Sequence, residues 1–316
     1  MNVALGVALG AATVTQPDFS ADFVSEIYYK NGVSDFESCF SFSRGSNATF
    51  DQFDSGLTHV DNDTIRQFDC GIILENSAVN HVRNSEDLTT SSWPLVNMSV
   101  INVGTIMGYN FYRIENVSSG KSFVGDQNAS VLFSAGDRVS CSIVFRQNVE
   151  SVLGTRLRLQ VIGTIEASVY ADVDLATADI IATGGGVIGE PILEEIAVGT
   201  YRLSLWTEAS SEGYAYLRAT LLDAIGHPQV GGHKADIAAP QISESFSSYI
   251  PTSGTAQTRN ADELKIFLSP NVYDVMITYS DLSTAQYFDE PIDENGWTVP
   301  LDDERLCVRS ITCTRV

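Results

Sequence analysis

Apolar and polar positions alternate with a period of two through much of the middle of this chain. Between residues 139 and 147, VSCSIVFRQ puts Val139, Cys141, Ile143 and Phe145 on one face. RLRLQVIG repeats the pattern with Leu157, Leu159 and Val161, and ASVYADVDL with Val169, Ala171 and Val173. This period predicts strands with one dry and one wet face. GTYRLSLWTEA and YAYLRATLLDA predict two more strands, around Trp206 and Leu217, and the Gly184 to Gly186 triplet reads as a turn. Residues 19 to 42 alternate loosely, and SRGSNATFDQFDSG then reads as a loop and a hairpin. After Ala261, ELKIFLS, VYDVMITYS, WTVPL and LCVRSITCTRV predict four further short strands, the middle two separated by an acidic turn around DEPIDENG. No helical rhythm links the strands and no fixed repeat announces a solenoid. The expected fold class is all-β, an antiparallel jelly-roll-like β-sandwich over residues 85–262. An N-terminal region, 1–84, is expected to serve attachment or oligomerisation, and 263–316 to form a small C-terminal β unit or extension.

Composition narrows the function classes. The 316 residues are 44% apolar and 9% aromatic, enough to bury full cores and too much for an acidic disordered tail. Eighteen basic against forty acidic side chains leave a net charge of −22, which argues against nucleic acid as a partner because phosphates demand a local excess of Lys and Arg. No run approaches the 18 apolar residues of a membrane helix, so no membrane partner is expected. The opening MNVALGVALGAA lacks a basic residue before its apolar stretch and reads as an arm buried against another protein rather than as a leader.

The search for chemistry yields little. Cys39, Cys70, Cys141, Cys307 and Cys313 are odd in number and lack metal-ligand spacing, so they read as mostly reduced; only Cys307 and Cys313 are close enough along the chain to suggest a bridge. His227 and His233 flank a glycine-containing loop that reads as polar and exposed. The acidic loops DNDT, 61–64, and DVDLAT, 172–177, lack a full calcium cadence. No nucleophile or phosphate motif appears, so neither a catalytic residue, a metal site nor a cofactor is expected, and the protein is read as a non-enzyme. The aromatic residues Trp93, Trp206, Tyr214 and Tyr216 are candidates for stacking on a sugar ring, although aromatics in strands more often fill cores.

Three segments together carry a resemblance. FSFSRGSNATFDQFDSGL, at 40–57, resembles the Arg-Ser-Ala-Thr loop of a group of tailed-phage virion proteins, with Arg44, Ser46, Ala48 and Thr49 at the motif positions. IILENSAVNHVRNSEDLTTSSW, at 72–93, resembles the group's next segment through Glu75, Asn80, Ser85, Asp87 and Trp93. ISESFSSYIPTSGTAQTRNAD, at 242–262, resembles the segment that closes its sandwich through Tyr249, Pro251, Thr252, Arg259 and Asp262. The chain departs from the pattern at His81 and Val82, where leucines are usual, and at Ser245 and Phe246, where a glycine is usual. The family comprises phage head-spike, head-fibre and tail-fibre proteins with a lectin-like, carbohydrate-binding-module-like β-sandwich. The resemblance implies a structural component of the virion, assembled in the host cytoplasm, homotrimeric, and contacting other proteins of the head or tail. The alternative it leaves open is a receptor-binding protein for host-surface polysaccharide, with a glycan depolymerase behind it. Arg44 could be matched by Asp262 or Glu75, so the motifs are expected to close the sandwich where the chain enters and leaves it.

Overall fold

A computed structural model describes residues 17–30, 39–53, 55–118, 123–125, 131–148, 155–165, 169–185, 190–227, 233–301 and 307–316. The apolar arm at residues 1–12 lies outside the described residues, as do 228–232 of the histidine loop. The described residues form 27 strands, and the pairings between them are antiparallel. The protein is therefore all-β, built of several antiparallel sheets.

The central strands follow the alternation in the sequence. Val139, Cys141, Ile143 and Phe145 are at most 2% exposed, and Leu157, Leu159, Val161, Val169, Ala171 and Val173 are equally buried. They belong to two sheets. A six-stranded sheet runs Met98–Ile106, Tyr109–Asn116, Lys234–Ser243, Arg138–Arg146, Thr200–Glu208, Ile192–Ala197. A second central sheet runs Ile180–Gly184, Val169–Asp174, Arg156–Gly163, Gly213–Leu222, Phe123–Gly125, Leu95–Val96, with Val131–Phe133 also on Gly213–Leu222. Both sheets send side chains into one hydrophobic cluster that includes Ile143, Phe145, Leu159, Leu205 and Leu217. Since alternate residues of a strand face opposite ways, one dry face per sheet is enough to build this core.

The two ends of the chain are built together. Phe19–Asp22 pairs with Cys307–Arg315, which pairs on its other side with Asn271–Tyr279; Gly71–Ile73 also joins Cys307–Arg315. Beside this terminal sheet, Glu263–Ile266 lies between Phe40–Ser43 and Trp297–Thr298. Phe19, Phe23, Phe40, Ile72, Leu264, Ile277, Ile311 and Cys313 fill one core between them. The segments separated in the sequence reading as N-terminal region and C-terminal unit thus share sheets and a core. Their strands are short and far apart in sequence, so nothing local reveals the pairing.

Two local readings are corrected. DEPIDENG is not all turn, because Thr284–Ile292 is a strand that carries Asp289, Glu290 and Pro291 at the edge of the terminal sheet. An edge position tolerates a residue without an N–H donor. Cys307 and Cys313 sit six residues apart in one strand, a span of roughly 20 Å at the usual strand rise, so they cannot be bridged.

A buried arginine and carboxylate joint as the candidate functional site

The chain passes from the terminal unit into the central sheets near residues 75–98 and returns near 243–263. The two crossings pair, Ala78–Asn80 against Gln257–Arg259. Around this pairing the side chains of Arg44, Arg66, Arg259, Glu75 and Asp262 are all at most 3% exposed.

Each guanidinium is shared among charged and neutral acceptors. Arg44 donates from Nη1 to Asp262 Oδ1 at 3.2 Å, from Nη2 to the Asp61 carbonyl at 2.7 Å and from Nε to the Ser46 carbonyl at 2.8 Å. Arg66 donates to Glu75 Oε2, to Ser248 Oγ at 2.8 Å and to Asp262 Oδ2 at 2.5 Å. Arg259 donates from Nη2 to the Asn76 carbonyl at 2.6 Å, and its Nη1 lies 3.5 Å from Glu75 Oε2. The Glu75 and Asp262 backbones are tied as well: Glu75 N donates to Asp262 Oδ2 at 2.8 Å, and Asp262 N to the Glu75 carbonyl at 2.9 Å. Glu75 further accepts from Ser248 N at 2.6 Å and Ser248 Oγ at 2.7 Å.

Burial pushes the Glu75 carboxyl up, but Arg259, Arg66 and the two Ser248 donors outweigh it and hold the group at about 2. The reverse balance holds at Arg259, where burial lowers the guanidinium despite its carboxylate neighbours. Three guanidiniums against two carboxylates leave an excess of one positive charge, and Arg66 Nε and Arg259 Nε find no hydrogen-bond partner among the described residues. The charges of such a cluster have given up water to be there, so removing one member costs more than the intact cluster gains over an apolar replacement.

The other motif residues extend the joint. Thr49 Oγ1 donates to the Tyr249 carbonyl, and Asn260 N donates to Ser46 Oγ at 2.8 Å. Asn80 Nδ2 donates to the Ile250 carbonyl at 2.8 Å and its Oδ1 accepts from Val82 N at 3.1 Å. Ser85 Oγ accepts from Thr252 N and from Thr252 Oγ1, both at 2.9 Å, and lies 2.7 Å from the Tyr249 hydroxyl, whose own proton points to Glu86. Pro251 lies between these two anchored residues, where its fixed φ suits the extended backbone. The expected pairing of Arg44 with Asp262 is therefore present, together with Arg66 and Ser248, which the sequence reading missed. Arg66 sits in the three-residue strand Arg66–Phe68 with no motif around it, and only its burial in the fold marks it.

A groove of about 500 Å³ opens beside the joint, between the Asn47 to His59 hairpin and the 249–259 return. Glu86, His59 and Gln257 supply polar groups, and Ile250 and Pro251 an apolar floor. Glu86 is held in place, accepting from the Tyr249 hydroxyl at 2.5 Å and from Asn110 Nδ2 at 2.9 Å. The volume falls in the range of small-ligand sites.

The four aromatic candidates do not converge on this groove or on each other. Trp93 is 3% exposed within the central core, with its Nε1 donating to the Asn84 carbonyl at 2.8 Å. Trp206 belongs to the six-stranded sheet, facing away from its buried neighbour Leu205, and the Arg138 guanidinium lies 4.3 Å from its ring. Tyr214 and Tyr216 lie on Gly213–Leu222 of the other central sheet, facing away from buried Ala215 and Leu217. Trp206 and the two tyrosines thus point outward from opposite sides of one core. The segment read as the acidic loop 172–177 begins inside the strand Val169–Asp174, where Asp172 accepts two bonds from its cross-strand partner Arg158, at 2.6 and 2.9 Å, and His233 contacts Thr155, so both are engaged by protein groups. No group of three or more metal-ligating side chains occurs among the described residues. Comparison of the chain with protein-family models finds no match, nor does comparison with curated proteins.

Proposed function

We propose that this protein is a structural component of a tailed-phage virion, a projecting spike, fibre or decoration protein of head or tail, built on a jelly-roll-like sandwich and assembled as a homotrimer. One observation supports this reading: the residues that carry the sequence resemblance, drawn from 40–57, 72–93 and 242–262, meet in one buried joint through Arg44, Thr49, Glu75, Asn80, Ser85, Tyr249, Arg259 and Asp262. Their work there is architectural, since both carboxylates are occupied by arginine and buried from substrate. A surface with a net charge of −22 keeps closely spaced copies apart and soluble. The test is immunogold electron microscopy of the virions that carry the protein, with an antibody against residues 95–260. Label around the capsid supports a head spike or decoration protein, label on the tail supports a tail fibre, and unlabelled particles overturn the proposal. Light scattering of the purified chain tests the trimer against a protomer mass of 34.3 kDa.

The groove beside the joint favours a second reading, receptor binding to a host-surface polysaccharide. A fixed carboxylate with neighbouring amides and hydroxyls suits sugar hydroxyls. Saturable binding on a glycan array that is lost in Glu86→Ala supports this reading, and an array without signal removes it.

A further inference from the structure

The strand Cys307–Arg315 runs antiparallel to Gly71–Ile73, the second arm of the hairpin that begins with Arg66–Phe68, with Cys307 paired to Ile73 and Val308 to Ile72. This brings Cys70 Sγ to 2.6 Å from Cys307 Sγ, between residues 237 positions apart in sequence. A disulfide bond is about 2.05 Å long, so closing it needs a shift of only about half an ångström. Cys70 is exposed, and both residues line a second cavity of about 670 Å³. The remaining thiols differ: Cys39, Cys141 and Cys313 are buried, and burial pushes the Cys141 and Cys313 thiols up.

We propose that Cys70 and Cys307 form an oxidation-dependent disulfide that staples the 66–73 hairpin to the C-terminal strand. The proposal does not depend on the virion reading. The hydrogen bond from Cys307 holds the Cys70 thiol near 7, against burial and against the charges of Asp69 and Glu194, while Cys307 is pushed up. Cys70 is therefore the attacking group. With a low-molecular-weight disulfide as oxidant, the Cys70 thiolate attacks one sulfur, forms a mixed disulfide and releases one small thiolate. Cys307 then gives its proton to solvent and attacks the Cys70 sulfur, and the second small thiolate leaves. Two electrons pass from the two cysteines to the oxidant, which ends as two thiols. In a reducing cytoplasm the pair stays open, and on transfer to an oxidising medium it closes.

The covalent tie would join the N- and C-terminal parts of the terminal unit, and the sequence loop it closes, which contains the strands of the central sheets, would be restricted in the unfolded chain. The experiment uses the full chain, purified in reductant and then equilibrated with oxidised glutathione. Alkylation and peptide mass spectrometry should find Cys70 linked to Cys307, a loss of two hydrogens, and Cys39, Cys141 and Cys313 still free once the protein is unfolded. The oxidised protein should also melt at a higher temperature than the reduced one, a difference absent from Cys307→Ser. Persistent glutathione on Cys70, a link between two Cys70 residues of different chains, or both thiols remaining alkylatable would each overturn the proposal. Because the mass readout is made on the unsubstituted protein, a variant that folds poorly does not blunt the test.

Discussion

Removing the Glu75 carboxylate from water disfavours its charged form, and Arg259, Arg66 and Ser248 more than restore it. A carboxyl held at about 2 in the fold and at an ordinary 4.5 in the unfolded chain contributes stability that is complete above about pH 4.5 and is lost as pH falls toward 2. The shift corresponds to a contribution on the order of 3 kcal/mol. Denaturant midpoints measured from pH 7 to pH 2 should therefore fall faster for the native protein than for Glu75→Gln, and parallel curves would refute the assignment. Arg66 makes the sharper case, since Arg66→Ala takes the nearest guanidinium from both Glu75 and Asp262, leaves Arg44 and Arg259 to balance them from farther away, and should cost about 3 kcal/mol in chemical unfolding. At this scale the motif positions Arg44, Glu75, Arg259 and Asp262 are legible in the sequence, because each lies in a recognisable run of residues. Arg66 is not, because a charged residue in a three-residue strand looks like any solvated one.

Elements explain why two glycines differ. Gly71 has a φ of 129°, and a Cβ there would lie 2.1 Å from the Val308 carbonyl oxygen, so the hairpin docks on Cys307–Arg315 only through a residue without a side chain. Gly104 has a φ of 110° but nothing within 4 Å of an added Cβ, at a bulge where its N–H donates to Asn102 Oδ1 at 2.7 Å. Gly104→Ala should cost only the backbone strain, about 1 to 3 kcal/mol, and Gly71→Ala clearly more. Thermal unfolding of the two variants side by side checks the order. The hairpin between Met98–Ile106 and Tyr109–Asn116 turns through Met107 and Gly108, both at positive φ. Its first strand buries few residues, so no alternation announces it. Period two reveals a strand only where one face is dry.

At the scale of the whole molecule, the terminal unit takes its core from both ends of the chain. A chain ending at residue 262 would strip Leu264, Ile277 and Ile311 from around Phe19, Phe23, Phe40 and Ile72, which are at most 5% exposed in the fold. The central cluster, which draws its buried residues from 82–242, would keep its own partners. Limited proteolysis of the truncated chain should therefore cut first within residues 17–74 and leave the central strands intact. Equal resistance throughout would mean that the N-terminal segment holds its structure without the C-terminal strands. By itself the sequence determined the all-β class, the inward faces of the central strands and most of the strands at the C-terminal end, and it offered Asp262 or Glu75 as partners for Arg44 without choosing between them. The first three depend on local period, which neighbouring residues display. Only the tertiary structure decided that the two ends share one sheet, that Arg66 completes the buried joint, that Cys70 meets Cys307, and that the aromatic residues face different ways. Each of these is a contact between segments far apart in the chain, fixed by which dry faces cover one another, and no short stretch of residues carries that information.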